Sequence, residues 1–347
     1  MSIQVESNFA GAPVPLVEAA RPARHAETQV IFKTTDRLEE SEREQMRDLF
    51  LRVFNKSMTK DAFERKFLCT PKGYSYHSLM LHQGAVTGAM SAVPWRYKVF
   101  DEEWIFALSV DVMIDPAHRG GGHILKMTDL VHQGLIEDGV PFIFGFPNEQ
   151  FYPVQKRLLR YEVIGELDYY ALPLNIGAVA RKLAWFRAGL DGLSRVACKY
   201  AVRSCRIPRD SRSQYNIAKV ADAQFEQHRY DASYSRVTLT DGAVCTYKIW
   251  EEEGGVRTLY IIDVAPLTRA SLARAVKQVF ETALDAADLV IYVGKLPYKP
   301  AGLWKVPDSR KPRRIRMTGK VLIPGLVDAS VLDIENWRVN LSDFDVR

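Results

Sequence analysis

At 347 residues the chain is too long for one small domain and has room for two. A composition of 47% hydrophobic and 26% charged residues is that of a globular chain able to bury a core, and no apolar run reaches the about 18 residues of a membrane span. The formal net charge of +5 suits an anionic small molecule as well as nucleic acid and decides between neither.

Residues 1–27 are rich in proline and alanine and lack a basic start followed by an apolar stretch, so they read as a poorly ordered leader, not a secretory signal. The four cysteines, Cys69, Cys198, Cys205 and Cys245, form no Cys-x-x-Cys pair. That spacing argues against a zinc site or a disulfide framework and for a reducing, cytoplasmic setting.

Patterning begins at Gln29. Residues 29–34 alternate as a strand, and Ser41 with Glu44 forms a capping box ahead of the periodic Met46, Leu49, Phe50, Val53 and Phe54. A second helix is predicted over Lys60–Phe67. Strands over Tyr76–His82, Val86–Phe100 and Trp104–Ile114 form an antiparallel meander, the first two joined by Gln83-Gly84. The third runs into Asp115-Pro116-Ala117-His118-Arg119-Gly120-Gly121-Gly122. Ile124, Leu125, Met127, Leu130, Val131, Leu135 and Ile136 then recur at helical spacing up to a Gly139-Val140-Pro141 stop. Residues 141–147 read as a buried strand, Glu149–Leu159 as a short helix, and Glu162–Leu174 as a closing strand pair.

Between Ile176 and Arg212 apolar residues alternate with Arg181, Lys182, Arg187, Arg195, Lys199 and Arg203 in a basic amphipathic helix. Two readings stand: a connecting helix with a solvated basic face, or a peripheral membrane or carrier-protein contact through residues 181–203. From Tyr215 the first unit repeats in outline. Gly242-Ala243-Val244 repeats Gly84-Ala85-Val86, and the 31 residues from Pro116 to Pro147 are matched by 31 from Pro266 to Pro297. Leu267-Thr268-Arg269 replaces the glycine loop. The expected organisation is α/β, with a first domain at 28–174, a connecting helix at 175–212 and a degenerate second copy at 213–347 that lacks the loop.

The glycine loop carries the chemistry. A helix's first turn leaves backbone N–H groups unpaired, and its dipole adds partial positive charge there. Glycines admit a phosphate to those groups and Arg119 adds a full charge, which makes a pyrophosphate cradle. A tight turn with no ligand is the other reading of a lone triplet. A Walker loop would need Gly-Lys-Ser/Thr, and a dinucleotide fingerprint would open a βαβ unit instead of following a meander.

The stretch from Val112 through Gly122 resembles the fourth strand and phosphate loop of the GNAT acyltransferase superfamily. The succession helix, apolar strand, Asn148, short helix, Leu159-Arg160-Tyr161 and Ile164-Gly165-Glu166-Leu167 resembles its C-terminal half. Through Gly145-Phe146-Pro147-Asn148 and Tyr152-Pro153 the chain also resembles GNAT-like proteins linked to bacterial polysaccharide and amino-sugar modification. The resemblance implies acetyl-CoA as acyl donor and no metal. The backbone of Val112, Met113 and Ile114 would pair with pantetheine, Arg119, Gly120, Gly121, Gly122, His123 and Ile124 would hold the pyrophosphate, and Asn148 would lie near the pantetheine arm or the thioester. Ile124 stands where the family has a small residue, and Lys156 where it has its general-acid tyrosine, four residues after Tyr152.

Transfer of an acyl group to an amine needs a proton acceptor, a donor to the developing oxyanion and a proton for the leaving thiolate. Asp111, on a face with Met113 and Asp115, is the candidate base, its other reading being a strand-end hydrogen bond. Tyr152 is the candidate acid, and the N–H of Met113 or Ile114 the oxyanion donor. His123 is open to phosphate or to solvent, Glu149 reads as a helix N-terminal carboxylate, and Arg310–Arg316 as a solvated loop or an anion contact. Trp337, Asp343 and Asp345 are candidates for a cleft between the halves. The function expected is N-acylation of a small amine or amino sugar, with no nucleic-acid partner. The alternatives are an acyl-carrier or aminoacyl-tRNA-dependent transferase and a non-catalytic CoA-binding scaffold.

Overall fold

The computed structural model describes residues 28–120, 122–175, 187–209, 215–252 and 254–344. The expected leader at 1–27, Gly121, Arg181 and Lys182 of the basic segment, and Asp345 lie outside the described residues.

The first half starts with β1 (Thr28–Thr34), α1 (Glu40–Phe54) and α2 (Lys60–Phe67), followed by the meander β2 (Tyr76–His82), β3 (Ala85–Val99) and β4 (Glu102–Ile114). Gln83 and Gly84 both take positive φ, 52° and 80°, so the turn follows the right-handed twist of the strands it joins. The α1 capping box is Glu39 with Glu42 and not Ser41 with Glu44. Glu42 is fixed there because its carboxylate also holds Lys33 at 2.7 Å. α3 (His123–Glu137) then crosses to β5 (Phe142–Gly145), which pairs parallel to β4.

After β5 come β6 (Glu162–Glu166), β7 (Asp168–Pro173), α4 (Arg187–Ser204), β8 (Ile217–Lys219), α5 (Ala223–Arg229), β9 (Ser235–Thr238), β10 (Val244–Glu251) and β11 (Arg257–Ala265). The chain continues through α6 (Arg269–Ala286), β12 (Leu289–Gly294), β13 (Trp304–Lys305), β14 (Arg316–Val321) and β15 (Trp337–Arg338). One sheet runs β1-β2-β3-β4-β5-β14-β6, with β8 on β3 and β15 on β8; the other runs β13-β7-β12-β11-β10-β9. The run β9-β10-β11-β12-β7-β13 matches β2-β3-β4-β5-β14-β6 in order, and in both sheets a helix crosses between the parallel pair. The architecture is α/β with two mixed sheets.

The expected strand pair at Glu162–Leu174 is not a pair. β6 stays in the first sheet, and one buried residue later β7 joins the second, where Leu172 faces Val290. Leu167 makes the crossing, wholly buried, its N–H donating to the Ile315 carbonyl at 2.9 Å. The place beside β6 is filled by β14, which also pairs with β5. Gly319 is required in that strand: a Cβ there would sit 2.5 Å from the Phe142 ring. The halves therefore exchange a strand, and no single cut in the chain separates the two sheets.

Between the sheets lies an aromatic core centred on Trp337, whose ring meets those of Tyr97, Phe106, Phe142 and Phe144 at 5.3–6.0 Å. Trp337 is thus a core residue, not a cleft residue. Beside it is a buried charge network. Lys219 on β8 bonds Asp343 at 2.9 Å, Arg338 on β15 bonds Asp263 on β11 at 2.7 Å, and Asn340 donates to Asp263 at 2.8 Å. Burial alone would push the Asp263 carboxyl up, but Arg338 and Lys219 outweigh it and hold it at about 2. On α4, Cys198 and Val202 are buried towards the second sheet, while Leu193, Val196 and Tyr200 are 72%, 68% and 78% exposed.

Two outcomes follow. Lys219→Met leaves two buried carboxylates short of a cation and should cost about 3–5 kcal/mol by denaturant unfolding; a loss below about 1 kcal/mol would show that the network does not tie the sheets. The second concerns His77 and His132, which burial lowers to about 3 and about 4, with Arg43 and Lys320 adding to it. Between those values and an unfolded pKa of about 6.5 the unfolded chain binds more protons, so stability should fall as pH drops from 6.5 towards 4. Each histidine contributes a slope of up to about 1.4 kcal/mol per pH unit, and His132→Gln should remove one share. A stability that stays flat over that range would contradict the neutral, buried state of both rings.

Candidate active site

The site is organised by a break in β4. Its pairing with β3 runs Ile114 to Gly88 and Met113 to Ala89, then resumes at Val110 with Ser91. Asp111 and Val112 together oppose Met90, and Asp111 takes φ 48°, a bulge that bends the strand and re-aims its side chains. Val110 and Met113 both pack towards α1 and α2, while Val112 and Ile114 pack beneath α3. Asp111 also reaches the α2 side, where Lys66 pairs with it at 2.8 Å. Asp115 is tied to Arg52 of α1 at 3.1 Å, so Asp111, Met113 and Asp115 share a face as the sequence implied.

Parallel pairing of β4 with β5 stops at Ser109 and Gly145, and the two strands part beyond that point. Asp115 donates its N–H to Thr87 on β3, so by alternation Met113 points its backbone to β3 and Ile114 points into the gap. Of the two candidate oxyanion donors, Ile114 has the open N–H direction. Its carbonyl is taken by the Arg119 Nε–H at 3.1 Å. Arg119 thus folds back on the strand end while remaining exposed.

A 3-10 turn over Pro116–His118 follows β4, with the Asp115 carboxylate accepting from Ala117 N–H at 3.1 Å. That N–H, opposed by burial and aided by Arg52, holds the Asp115 carboxyl below the usual range. Gly120 has φ 107° and Gly122 φ 72°, left-handed values that glycine alone takes without strain. Gly122 caps α3 with no side-chain hydrogen bond, and a Cβ on Gly120 or Gly122 would meet nothing within 4 Å. Among the described residues no side chain caps the start of α3; within its first turn Leu125 N–H bonds the Gly122 carbonyl at 3.0 Å. His123 is half-buried at the first helical position, and Ile124 packs into the core under α3, so its bulk stays out of the loop.

The second half differs at the matching place. Thr268 caps α6, accepting from Ser271 N–H at 3.0 Å while Ser271 Oγ accepts from Thr268 N–H at 2.9 Å, and both residues are buried. That helix start satisfies itself and presents no cradle.

Beyond β5, Asn148 accepts from Phe151 N–H at 2.8 Å through its side chain and from Tyr152 N–H at 2.9 Å through its carbonyl. It shapes the turn beside the strand gap. The expected helix at Glu149–Leu159 is one π-helical turn, Val154–Leu158. The wider turn seats Gln155 in the interior, where it accepts from the Thr318 hydroxyl at 2.7 Å. Glu149 is exposed ahead of it and heads no helix, and Lys156 is exposed too. Tyr152 lies under the Arg316 guanidinium, 4.5 Å from its ring centre.

On the α2 side of β4 a cavity of about 660 Å³ opens between the sheets. Leu108, Val110 and Lys66 line it from the first half, Trp250 and Tyr260 from the second, and Asp343 from the C-terminal segment. Asp343 thus reaches the cleft proposed for it, and the Tyr97 hydroxyl meets it at 3.4 Å. Burial, then the Asp343 charge, raises the Tyr97 phenol well above its ordinary value. Lys66, Trp95 and Trp250 carried no sequence signal, because their partners lie far along the chain. Among the described residues no cluster of His, Cys, Asp or Glu is arranged to hold a metal ion.

The cradle can be tested with its minimal ligand. Pyrophosphate should raise the Tm of the wild type, and Gly122→Asp, which sets a carboxylate beside the same N–H groups at a cost of about 1–2 kcal/mol for its left-handed φ, should abolish the rise. An undiminished shift in the variant would place the anion elsewhere.

Residues 34–157, which contain the bulge and the cradle, match a family model described as an acetyltransferase (GNAT) domain. No curated protein matches the sequence. Among solved structures, the fold is similar to a conserved protein of unknown function from Enterococcus faecalis V583, described as a probable N-acyltransferase. The identity is 14%, the match covers 85% of this chain and 73% of that one, and the TM-score is 0.56. A GCN5-related N-acetyltransferase from Anabaena variabilis ATCC 29413 is similar at 13% identity, 84% and 73% coverage and TM-score 0.54. One from Kribbella flavida is similar at 15% identity, 84% and 71% coverage and TM-score 0.55. Residues 34–157 are thus similar to an acetyltransferase (GNAT) domain, and the two-sheet fold is similar to that of these structures over 84–85% of the chain.

Proposed function

We propose that the protein is an acetyl-CoA-dependent N-acyltransferase that moves the acyl group directly to a small amine or amino sugar. The observation that carries this reading is the uncovered start of α3, set beside the strand gap that opens at the β4 bulge. Residues 119–124 would hold the pyrophosphate of the donor, and the backbone of Val112–Ile114 its pantetheine arm. Bound there, the donor supplies an activated thioester at the mouth of the gap.

The chain's own groups then have distinct tasks. The N–H of Ile114 faces the gap and stabilises negative charge developing on the thioester oxygen. As the amine nitrogen bonds to the acyl carbon and the carbon–sulfur bond breaks, Asp111 takes the proton lost by the amine. Lys66 holds that carboxylate in place. Tyr152, on the turn shaped by Asn148, gives its proton to the leaving thiolate. Proximity of the two reactants across the gap contributes the larger share of the rate.

Acetyl-CoA at about 100 times its Kd should add about 2.7 kcal/mol to stability and raise the Tm. Thiol release with an amine and amino-sugar panel should identify an acceptor. Asp111→Asn and Tyr152→Phe should each lower kcat by about 10²-fold with little change in the KM for acetyl-CoA. A Tm indifferent to every acyl-CoA would sink the reading, and unaltered kcat in either variant would remove that residue from the mechanism.

A further inference from the structure

The cavity between the sheets has an electrostatic bias that points to its occupant. Three carboxylates line it, and each is already engaged. Asp231 lies 3.5 Å from Arg65 and accepts from Ser233 N–H at 2.9 Å. Glu252 accepts from the Tyr260 hydroxyl at 2.8 Å, and Asp343 is held by Lys219 at 2.9 Å. On the same lining, Lys56, Lys248 and Arg313 have no carboxylate within 4.0 Å among the described residues. The lining is therefore net positive; Lys56 and Arg313 are exposed and Lys248 is half-buried, so screening is weakened most at Lys248.

Lys248 is the most constrained of the three. Its Nζ lies 4.7 Å from the centre of the Tyr234 ring and 4.9 Å from that of Trp250, and it bonds Ser233 Oγ at 2.5 Å. The aromatic frame holds the ammonium at the cavity wall, where its charge is felt by Asp231 through the shared Ser233 without a direct ion pair. Arg313 belongs to the basic stretch Arg310–Arg316 noted in the sequence, and it lines the cavity from the loop before β14. The cradle at α3 lies beyond the opposite, α3 side of β4, so these cations are not part of it. An amine arrives protonated, and a positively charged cavity repels it unless the same molecule carries compensating negative charge.

We propose that the acceptor is an amine bearing an anionic group, a carboxylate or a phosphate, which Lys248 and Arg313 bind while the amine points to the β4 bulge. The inference rests on the acyl-transfer reading for its chemistry, but not for its binding site. It inverts the usual demand on an amine site, which is for negative charge at the wall.

The test compares matched acceptors with the full-length chain at saturating acetyl-CoA: phenethylamine against phenylalanine, and glucosamine against glucosamine 6-phosphate. The anionic member of at least one pair should have a kcat/KM about tenfold higher, and the pair that shows it names the anion. Lys248→Met and Arg313→Met should each raise the KM for that acceptor about tenfold, leaving its kcat and the neutral parent's kinetics within twofold. Equal kcat/KM within both pairs, or variants that weaken neutral and anionic members alike, would overturn the inference. If no amine releases thiol, the acyl-transfer reading fails on its own. Calorimetric binding of phenylalanine and glucosamine 6-phosphate then decides the cavity: binding weakened about tenfold by Lys248→Met upholds an anion site, and binding absent or unaltered overturns it.

Discussion

The constraint on which the rest depends is the two-residue bulge in β4. Without it, β4 would continue beside β5 in even register and leave no gap. With it, Val110 is delivered to the cavity, Asp111 turns to Lys66, and Ile114 faces the opening with its carbonyl held by Arg119. β11 carries a register break at the equivalent place, between its pairings with Thr246 and Tyr247. There the following helix is closed by Thr268 and Ser271. A bent strand therefore makes a site only where the next helix starts bare.

That combination also divides the labour between the two faces of one strand. Under α3, the glycine loop and helix start present backbone N–H groups, which are fixed dipoles that need no side chain and read only negative charge. On the α2 side, the cavity is walled by side chains from both sheets. In the proposed reaction, backbone geometry would serve the donor and these side chains the acceptor.

The meander, the α3 crossover and the glycine turn ahead of α3 were legible because their signals are local. Turn residues, a Gly-rich loop and a 3.6-residue period all act within a few positions of one another. Gln83-Gly84, Gly122 and the apolar face of α3 are examples. The partner of β6 was not legible, because β14 begins about 150 residues later and Arg316–Val321 reads locally like any short strand. For the same reason the ion partner of Asp111 escaped notice: Lys66 sits on α2 with an ordinary helical neighbourhood, and only tertiary packing brings it to the bulge. The capping box at α1 lies two residues earlier than the motif implies: Ser41-x-x-Glu44 fits the sequence pattern, but Glu39, a glutamate outside it, takes the N-cap, with Glu42 held there by Lys33 on a neighbouring strand.

The strand exchange has a consequence for how the chain comes to exist. When β5 leaves the ribosome its outer edge has no neighbour, and it acquires one only after a further 170 or so residues have been made, as the Thr318 to Gly145 contact at a separation of 173 shows. Until then the first half is an unfinished sheet with an unpaired apolar strand of Phe-Ile-Phe-Gly at its margin, a ready template for pairing with another nascent chain. The first sheet is therefore complete only when β14 has taken its place between β5 and β6.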